Sequence, residues 1–549
     1  MVNQIDKIFT RWDNLHTPGC AVGVVYNNEL IYSKGFGISN LEYGIPITTE
    51  SVFRIASVSK QFTAACILLL EEQGKLSLTD YINIYFPEFP EAFEKIQIFH
   101  LLTHTSGIKD YLWLFNVAGY SFRALEIIDE EIFFDMIKNQ KSLNFPPGEE
   151  FLYSNSGYVI LALLIERVTG IKLSDFAKEH IFDPLNMKET HFHDDYRQVV
   201  KNRSKAYTIG RNDEFIIFET ANELVGDGAI FTTITDMAKW AKNFTDNKLG
   251  NQSPDFVKKL TKPGKLNNNK IINYALGLRI SNYKGIDRIY HAGMIAGFRS
   301  SFMRFPNENL TIFCFANLAT INPDELCEKI ADIFLLITPS ERLSYEHSKT
   351  NNSLVESKDC LKSFLGFYRN KKVKLVYHFS EENNKIIGEL FAVDPIVLYT
   401  KTSYEFKGNG VFNRISGILE PKLEFKTNPV TLQPYLTVYE VDGEFYQLDK
   451  IKIPEISSQN LEKYSGTFYS EELDTYYHIE NQKDFLNVIV KRIEKIIFKY
   501  EYIGNNEFTC NQVCMKFLES SKGFNRFELS TVKISNPIIF TKIDSKYGI

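Results

Sequence analysis

Ser57 and Lys60 stand three residues apart at the head of an apolar run. On a helix that spacing puts a hydroxyl and an amine on one face, a turn apart. A serine hydroxyl is a weak nucleophile until a neighbouring base takes its proton. Two bases are on offer. Burial beside Ser57 would favour the neutral amine of Lys60, or, if charged, Lys60 would stabilise a deprotonated partner. Tyr153, in Tyr153-Ser154-Asn155, would act with a lowered pKa as general base and then as general acid. Asn155 can hold a substrate amide and orient Lys60. The N–H of Ser57 at a helix start supplies half of an oxyanion hole. The N–H of Met294, just after His291-Ala292-Gly293, would complete it. His291 would line the opposite wall, and Gly293, lacking a side chain, would let a substrate backbone approach a strand edge. The chemistry this set points to is acyl transfer, with Ser57, Lys60 and Tyr153 catalytic and Asn155, His291, Gly293 and Met294 binding substrate.

Elements able to position these residues are legible around them. Residues 21–26 and 30–33 read as strands about a turn at Asn27-Asn28-Glu29. Residues 57–72 read as a helix with Phe62, Cys66, Leu69 and Leu70 inward, stopped by Gly74. Pro146-Pro147-Gly148 makes a turn before Tyr153, and residues 157–168 form a second apolar helix ending at Gly170. Thr235 is the expected N-cap of a third. Residues 288–291, 298–305 and 310–316 read as three consecutive strands. Early and late strands around a helical middle imply one antiparallel sheet built from both ends of the domain.

The last third changes character. Residues 346–358 are polar and read as a linker, and short strands with turns such as Asn409-Gly410 and Asp442-Gly443 follow. An internal repeat runs through it at an offset of 100 residues. Leu361, Phe364, Gly366 and Tyr368 match Leu461, Tyr464, Gly466 and Phe468, and Tyr377-His378 matches Tyr477-His478. Two all-β modules follow, 359–453 and 454–549, of a size and strand spacing that suit small antiparallel barrels.

Composition narrows the function. Of 549 residues, 44% are hydrophobic and 24% charged, which is ordinary for a soluble globular chain. A net charge of −6 gives no footprint for nucleic acid. Apolar stretches such as 64–70 and 159–165 are too short to span a bilayer. The first residues lack a signal-peptide core, so the expectation is a cytoplasmic chain as written, periplasmic or secreted if a leader has been trimmed. Seven scattered cysteines make no disulfide framework. Cys66 and Cys314 read as core residues, and the lone Cys510–Cys514 pair falls short of the four ligands of structural zinc.

Ser57-x-x-Lys60, Tyr153-x-Asn155 and His291-x-Gly293, in that order, resemble the serine β-lactamase and penicillin-binding-protein superfamily. The tyrosine places the chain nearest the class C-like branch, with its D-aminopeptidase, DD-peptidase and esterase relatives. Leu101-Leu102-Thr103-His104-Thr105-Ser106-Gly107, Pro147-Gly148 and the stretch from Gly226 to Thr233 agree. The resemblance implies an α/β (α+β) fold: a β-lactamase-like domain over 1–345, with a five-stranded antiparallel sheet flanked by helices plus a helical subdomain. It implies an acyl-enzyme on Ser57, no metal or organic cofactor, and a small peptide, amide or ester substrate. D-aminopeptidases of this branch also carry two C-terminal barrels. Where many members have Lys-Thr-Gly, this chain has His291-Ala292-Gly293, as in the peptidase, amidase and esterase members. The expected function is a D-aminopeptidase- or penicillin-binding-protein-like peptidase. The alternatives are a carboxylesterase or β-lactamase of the same fold, or a catalytically silent ligand-binding or sensing protein. By the same resemblance, His104 sits in a structural helix–loop element, and His191-Phe192-His193-Asp194-Asp195, following the turn 183–187, is expected as a surface loop rather than a metal site.

Overall fold

The computed structural model describes residues 1–120, 127–210 and 213–335, then 365–370, 375–382, 385–389, 402–406, 411–414, 422–427, 433–439, 445–452, 458–491, 495–510, 513–521, 523–531 and 533–543. The expected linker 346–358, Cys360, Leu361, Phe364 and the turns at Asn409-Gly410 and Asp442-Gly443 lie outside the described residues. The chain divides into two units. Met1–Ile108, Arg123–Ile132 and Phe145–Lys349 form the first, and Lys109–Phe122, Phe133–Asn144 and Thr350–Ile549 the second.

Two asparagines start the first unit's sheet. Asn27 and Asn28 both take positive φ, 49° and 66°. Their short polar side chains tolerate that conformation, and a two-residue turn of this hand matches the twist of a hairpin. Strands Cys20–Tyr26 and Glu29–Phe36 pair across it. The late strands Arg279–Tyr283, Ile286–Ile295, Phe298–Phe305 and Leu310–Ala316 complete one antiparallel sheet, because Leu310–Ala316 pairs along its length with Cys20–Tyr26. The sheet has six strands rather than the five expected. The additional one, Arg279–Tyr283, is a half-buried edge strand with no clean alternation, which hides it from pattern reading.

Leu310–Ala316 is buried at every position, so both faces of the sheet are covered. On one face Val22, Val24, Ile312 and Cys314 pack with Ile5, Phe9, Leu326 and Ile330. Leu326 and Ile330 come from helix Pro323–Phe334. Helix Ile234–Asn243 covers the other face. Its cap is Thr233, whose side chain accepts from the Asp236 N–H, and not Thr235. Starting the helix two residues earlier lets Thr233 take the extended backbone a cap requires. His191–Phe192 forms a short strand paired with Phe231 and Ile230, and His193 is buried, which corrects the expected surface loop. An alternating run with two ring residues on one face found a partner strand. No helix among the described residues is long and apolar enough to cross a membrane.

The second unit holds two closed eight-stranded antiparallel barrels, one from Gly366–Asn370 to Phe445–Ile451, the other from Gly466–Ser470 to Ile534–Ile543. The sequence repeat is a repeat of register. Phe367 faces His378 and Tyr368 faces Tyr377, as Thr467 faces His478 and Phe468 faces Tyr477. The second barrel is filled by packed rings, Phe527 stacking on Phe540 at 4.6 Å and meeting Phe468 edge-on at 5.1 Å. Lys109–Phe122 and Phe133–Asn144 join this unit through specific bonds, a division that a single boundary near residue 345 misses. Tyr477 Oη donates to the Val117 carbonyl at 2.6 Å, closing the end of helix Tyr111–Val117. Thr475 donates to the Ala118 carbonyl at 2.9 Å. Lys109 and Glu472 pair at 3.1 Å with side chains only 0% and 8% exposed.

Candidate active site

All seven predicted site residues lie in the first unit. Ser57 sits in a 3-10 turn, Ala56–Ser59, and the α-helix proper runs Lys60–Glu72, three residues later than its expected start. Ala56 has φ +47°, a conformation a residue with a Cβ rarely adopts. The strain lifts Ser57 into a half-buried position at the head of the helix. Ser300 Oγ, donating to the Ile55 carbonyl at 2.6 Å, ties the turn to the sheet.

Lys60 is fully buried. Its Nζ lies 3.1 Å from Ser57 Oγ, 2.8 Å from Asn155 Oδ1 and 2.6 Å from the Asp227 carbonyl. The carbonyl and the amide oxygen only accept, so they take two of its three positions. The third faces the Ser57 hydroxyl. There an ammonium donates an N–H, whereas a neutral amine presents the lone pair that would receive the serine proton. Asn155 opens helix Asn155–Thr169, so its side chain is set by the helix start. The same Nζ stands 5.0 Å from the centre of the Tyr153 ring. Ser57, Tyr153 and Asn155 are therefore gathered about the one Lys60 nitrogen.

His291 lies on strand Ile286–Ile295, buried, its ring 6.1 Å from that of Tyr153. Its Nδ1 donates to the Ala292 carbonyl at 2.7 Å, and its Nε2 accepts from Tyr274 Oη at 3.0 Å. Burial first, then the nearby Arg279 and Lys60 charges, push its pKa well below the usual histidine range. It is a neutral, doubly bonded ring. Gly293 sits against the nucleophile turn, where a Cβ would meet Ser300 Oγ at 2.2 Å and the Ile55 carbonyl at 2.3 Å. The close approach it permits is to backbone beside Ser57. Met294 follows on the same strand, the residue 42% exposed.

Three contributors escaped sequence reading. Tyr274 is buried, holds His291, and is kept protonated by a pKa pushed well above its usual value through burial. Arg279 lies 5.5 Å from the Tyr153 ring centre. Gly277, at φ +74°, packs where a Cβ would be 2.6 Å from the Lys60 carbonyl. Only the glycine carried a signal, and a lone Gly has many readings. His104 accepts the Ser154 N–H on Nδ1 at 3.2 Å, beside Tyr153. Among the described residues no group of three or more His, Cys, Asp or Glu could hold a metal ion.

A family model described as Beta-lactamase matches residues 5–333. Penicillin-binding protein 4* of Bacillus subtilis is 31% identical over 335 residues, covering 57% of this chain and 71% of its own. The D-aminopeptidase of Brucella anthropi is 27% identical over 329 residues, covering 60% of this chain and 61% of its own, so the chain spans about three fifths of that relative. Among solved structures, the octameric penicillin-binding protein homologue from Pyrococcus abyssi matches 98% of both chains with a TM-score of 0.55 at 19% identity, a likeness of fold alone.

Proposed function

Because the chain belongs to the beta-lactamase family, we propose that it is a serine hydrolase that opens a peptide, amide or ester bond through an acyl-enzyme on Ser57. The observation that carries this reading is the single buried Lys60 Nζ within hydrogen-bond distance of both Ser57 Oγ and Asn155 Oδ1. In the first step Ser57 Oγ attacks the substrate carbonyl carbon while its proton passes to Tyr153 or Lys60. The C–N or C–O bond then breaks, and the same group returns that proton to the departing amine or alkoxide. Water repeats the sequence to release the acid and free Ser57. The Ser57 and Met294 N–H groups serve the oxyanion, and Asn155 takes the amide of the acyl part.

Within that class we rank a peptidase or amidase of D-aminopeptidase or penicillin-binding-protein type first, a carboxylesterase second and a β-lactamase third. His291 supports the order. A neutral ring whose two nitrogens already serve Tyr274 and Ala292 offers no positive charge to a substrate carboxylate. The likeness to the D-aminopeptidase supports a substrate with a D-configured residue. The test is the intact mass of the full chain after brief exposure to a penicillin and, separately, to an activated ester. An adduct on wild type that is missing from Ser57→Ala is expected. If neither compound leaves an adduct and neither is consumed, the acyl-enzyme reading fails and a ligand-binding protein of this fold is the one to pursue.

A further inference from the structure

Tyr153 has a difficult task for a residue in its position. Phe151–Ser154 belongs to no helix or strand, so no ladder of backbone bonds fixes it. A phenol that must meet one serine hydroxyl needs its backbone held on both sides. His104 does this with two bonds. Its carbonyl accepts the Leu152 N–H at 3.0 Å, and its Nδ1 accepts the Ser154 N–H at 3.2 Å. The two bonds straddle Tyr153. One comes from the main chain and one from the side chain of a single residue, and that residue sits in the left-handed region, at φ +57°. The His104 ring then lies against the Tyr153 ring, centroids 4.1 Å apart and tilted 37°. Tyr274 stands edge-on to His104 at 4.6 Å. Since Nδ1 accepts an N–H, the ring proton resides on Nε2, and the imidazole grips Ser154 only while that nitrogen keeps its lone pair.

We propose that His104 is a positioning residue that sets the Tyr153 phenol for proton transfer, so that it governs the rate of acylation rather than the binding of substrate. The proposal rests on the reading of Tyr153 as the proton-transfer group. A displacement of about 1 Å at a reacting group can cost on the order of 100-fold in rate. Losing both the ring and the Ser154 bond should therefore cost about that factor.

The test uses the full chain with p-nitrophenyl acetate as probe, comparing wild type, His104→Ala and His104→Asn. Asn tolerates the left-handed backbone and keeps an acceptor, but it has no ring to stack. Expected results are a fall in kcat of about 100-fold for His104→Ala with KM within a factor of about three, a smaller fall for His104→Asn, and partial rescue of His104→Ala by free imidazole, which can fill the vacated place. A residue needed only for folding would lower the active fraction, leave KM and the rate per active site untouched, and show no rescue. That pattern, or unchanged kcat in His104→Ala, overturns the proposal. A second readout does not depend on Ser57: 3-fluorotyrosine placed at position 153, followed by 19F NMR. Its titration midpoint should move on His104→Ala, and an unmoved midpoint overturns the proposal even if Ser57 acylates. Absence of any acyl adduct together with a moved midpoint sinks the hydrolase reading and with it the claim on acylation rate, and leaves only the placing of the Tyr153 phenol by His104.

Discussion

Lys60 commits two of its three hydrogen-bonding positions to carbonyl oxygens and turns the third to Ser57. Lys60→Arg is therefore not a conservative change. A planar guanidinium cannot reproduce that geometry and has no lone pair to offer at accessible pH. General acid–base groups contribute about 100- to 10,000-fold, so Lys60→Arg and Lys60→Met should each slow acylation by at least about 100-fold. Stopped-flow measurement of the first turnover with an activated ester checks this, and an arginine variant within a few-fold of wild type would exclude Lys60 from proton handling. Histidines give the molecule an acid-side weakness. Burial depresses His100 and His193, each to about 4, and holds His291 well below the usual histidine range. In an unfolded chain these rings take up protons near pH 6.5. Below that the unfolded state binds more protons than the folded one, so stability falls as pH drops from about 6.5 towards 4 and is level above it. Asp324, pushed up to about 6 by burial, acts in the opposite sense between about pH 4 and 6. The clean measurement is a difference. The fall in Tm between pH 7.5 and 5 should be smaller in His193→Gln than in wild type, and an equal fall in both removes His193 from the account.

At the level of elements, the meeting of strand Ile286–Ile295 with the Ser57 turn is the junction on which the site depends, and Gly293 is its contact point. Gly293→Ala drives a methyl into the Ile55 carbonyl, and overpacking of this kind costs about 1–3 kcal/mol. We expect that loss by denaturant titration, accompanied by slower acylation because the turn carrying Ser57 must shift. Unchanged acylation would mean the junction is slack. These elements also show what pattern reading can reach. Strands 298–305 and 310–316 were legible to the residue because they are long apolar runs between turn residues, and the meeting of Ser57, Lys60, Tyr153 and Asn155 was expected from their types and order. The partners that orient them were not. Tyr274 reaches His291 from a segment with no regular structure, and His104 acts partly through its own carbonyl, which any residue possesses. Thr233 displaced Thr235 as cap because two threonines lay within reach and only the fold chose between them. The edge strand Arg279–Tyr283 earned its place by pairing with Ile286–Tyr290, a tertiary fact rather than a local one.

On the scale of the whole molecule, the second barrel is bound to a segment that sequence order would give to the β-lactamase-like domain. Lys109, with its pKa lowered chiefly by burial and sustained by Glu472, makes the test sharp. Glu472→Ala strands a buried charge, a change that typically costs about 3–5 kcal/mol. The double replacement Lys109→Met with Glu472→Leu removes both charges and should recover most of that loss. Denaturant titration of the three variants, with amide exchange over Tyr111–Val117 as local readout, decides it. A double variant no more stable than Glu472→Ala would show that the pair is not the latch. The separation along the chain then matters in time. Glu472 is made 363 residues after Lys109. At a synthesis rate of about 5–20 residues per second, the nascent segment 109–144 waits about 20–70 s for the barrel that buries its lysine. Through that interval a ribosome carries a chain with Ser57 and its neighbours already made, and with helix Tyr111–Val117 still lacking the tyrosine that closes its end. Completion of segment 109–144 is thereby timed by synthesis of the second barrel.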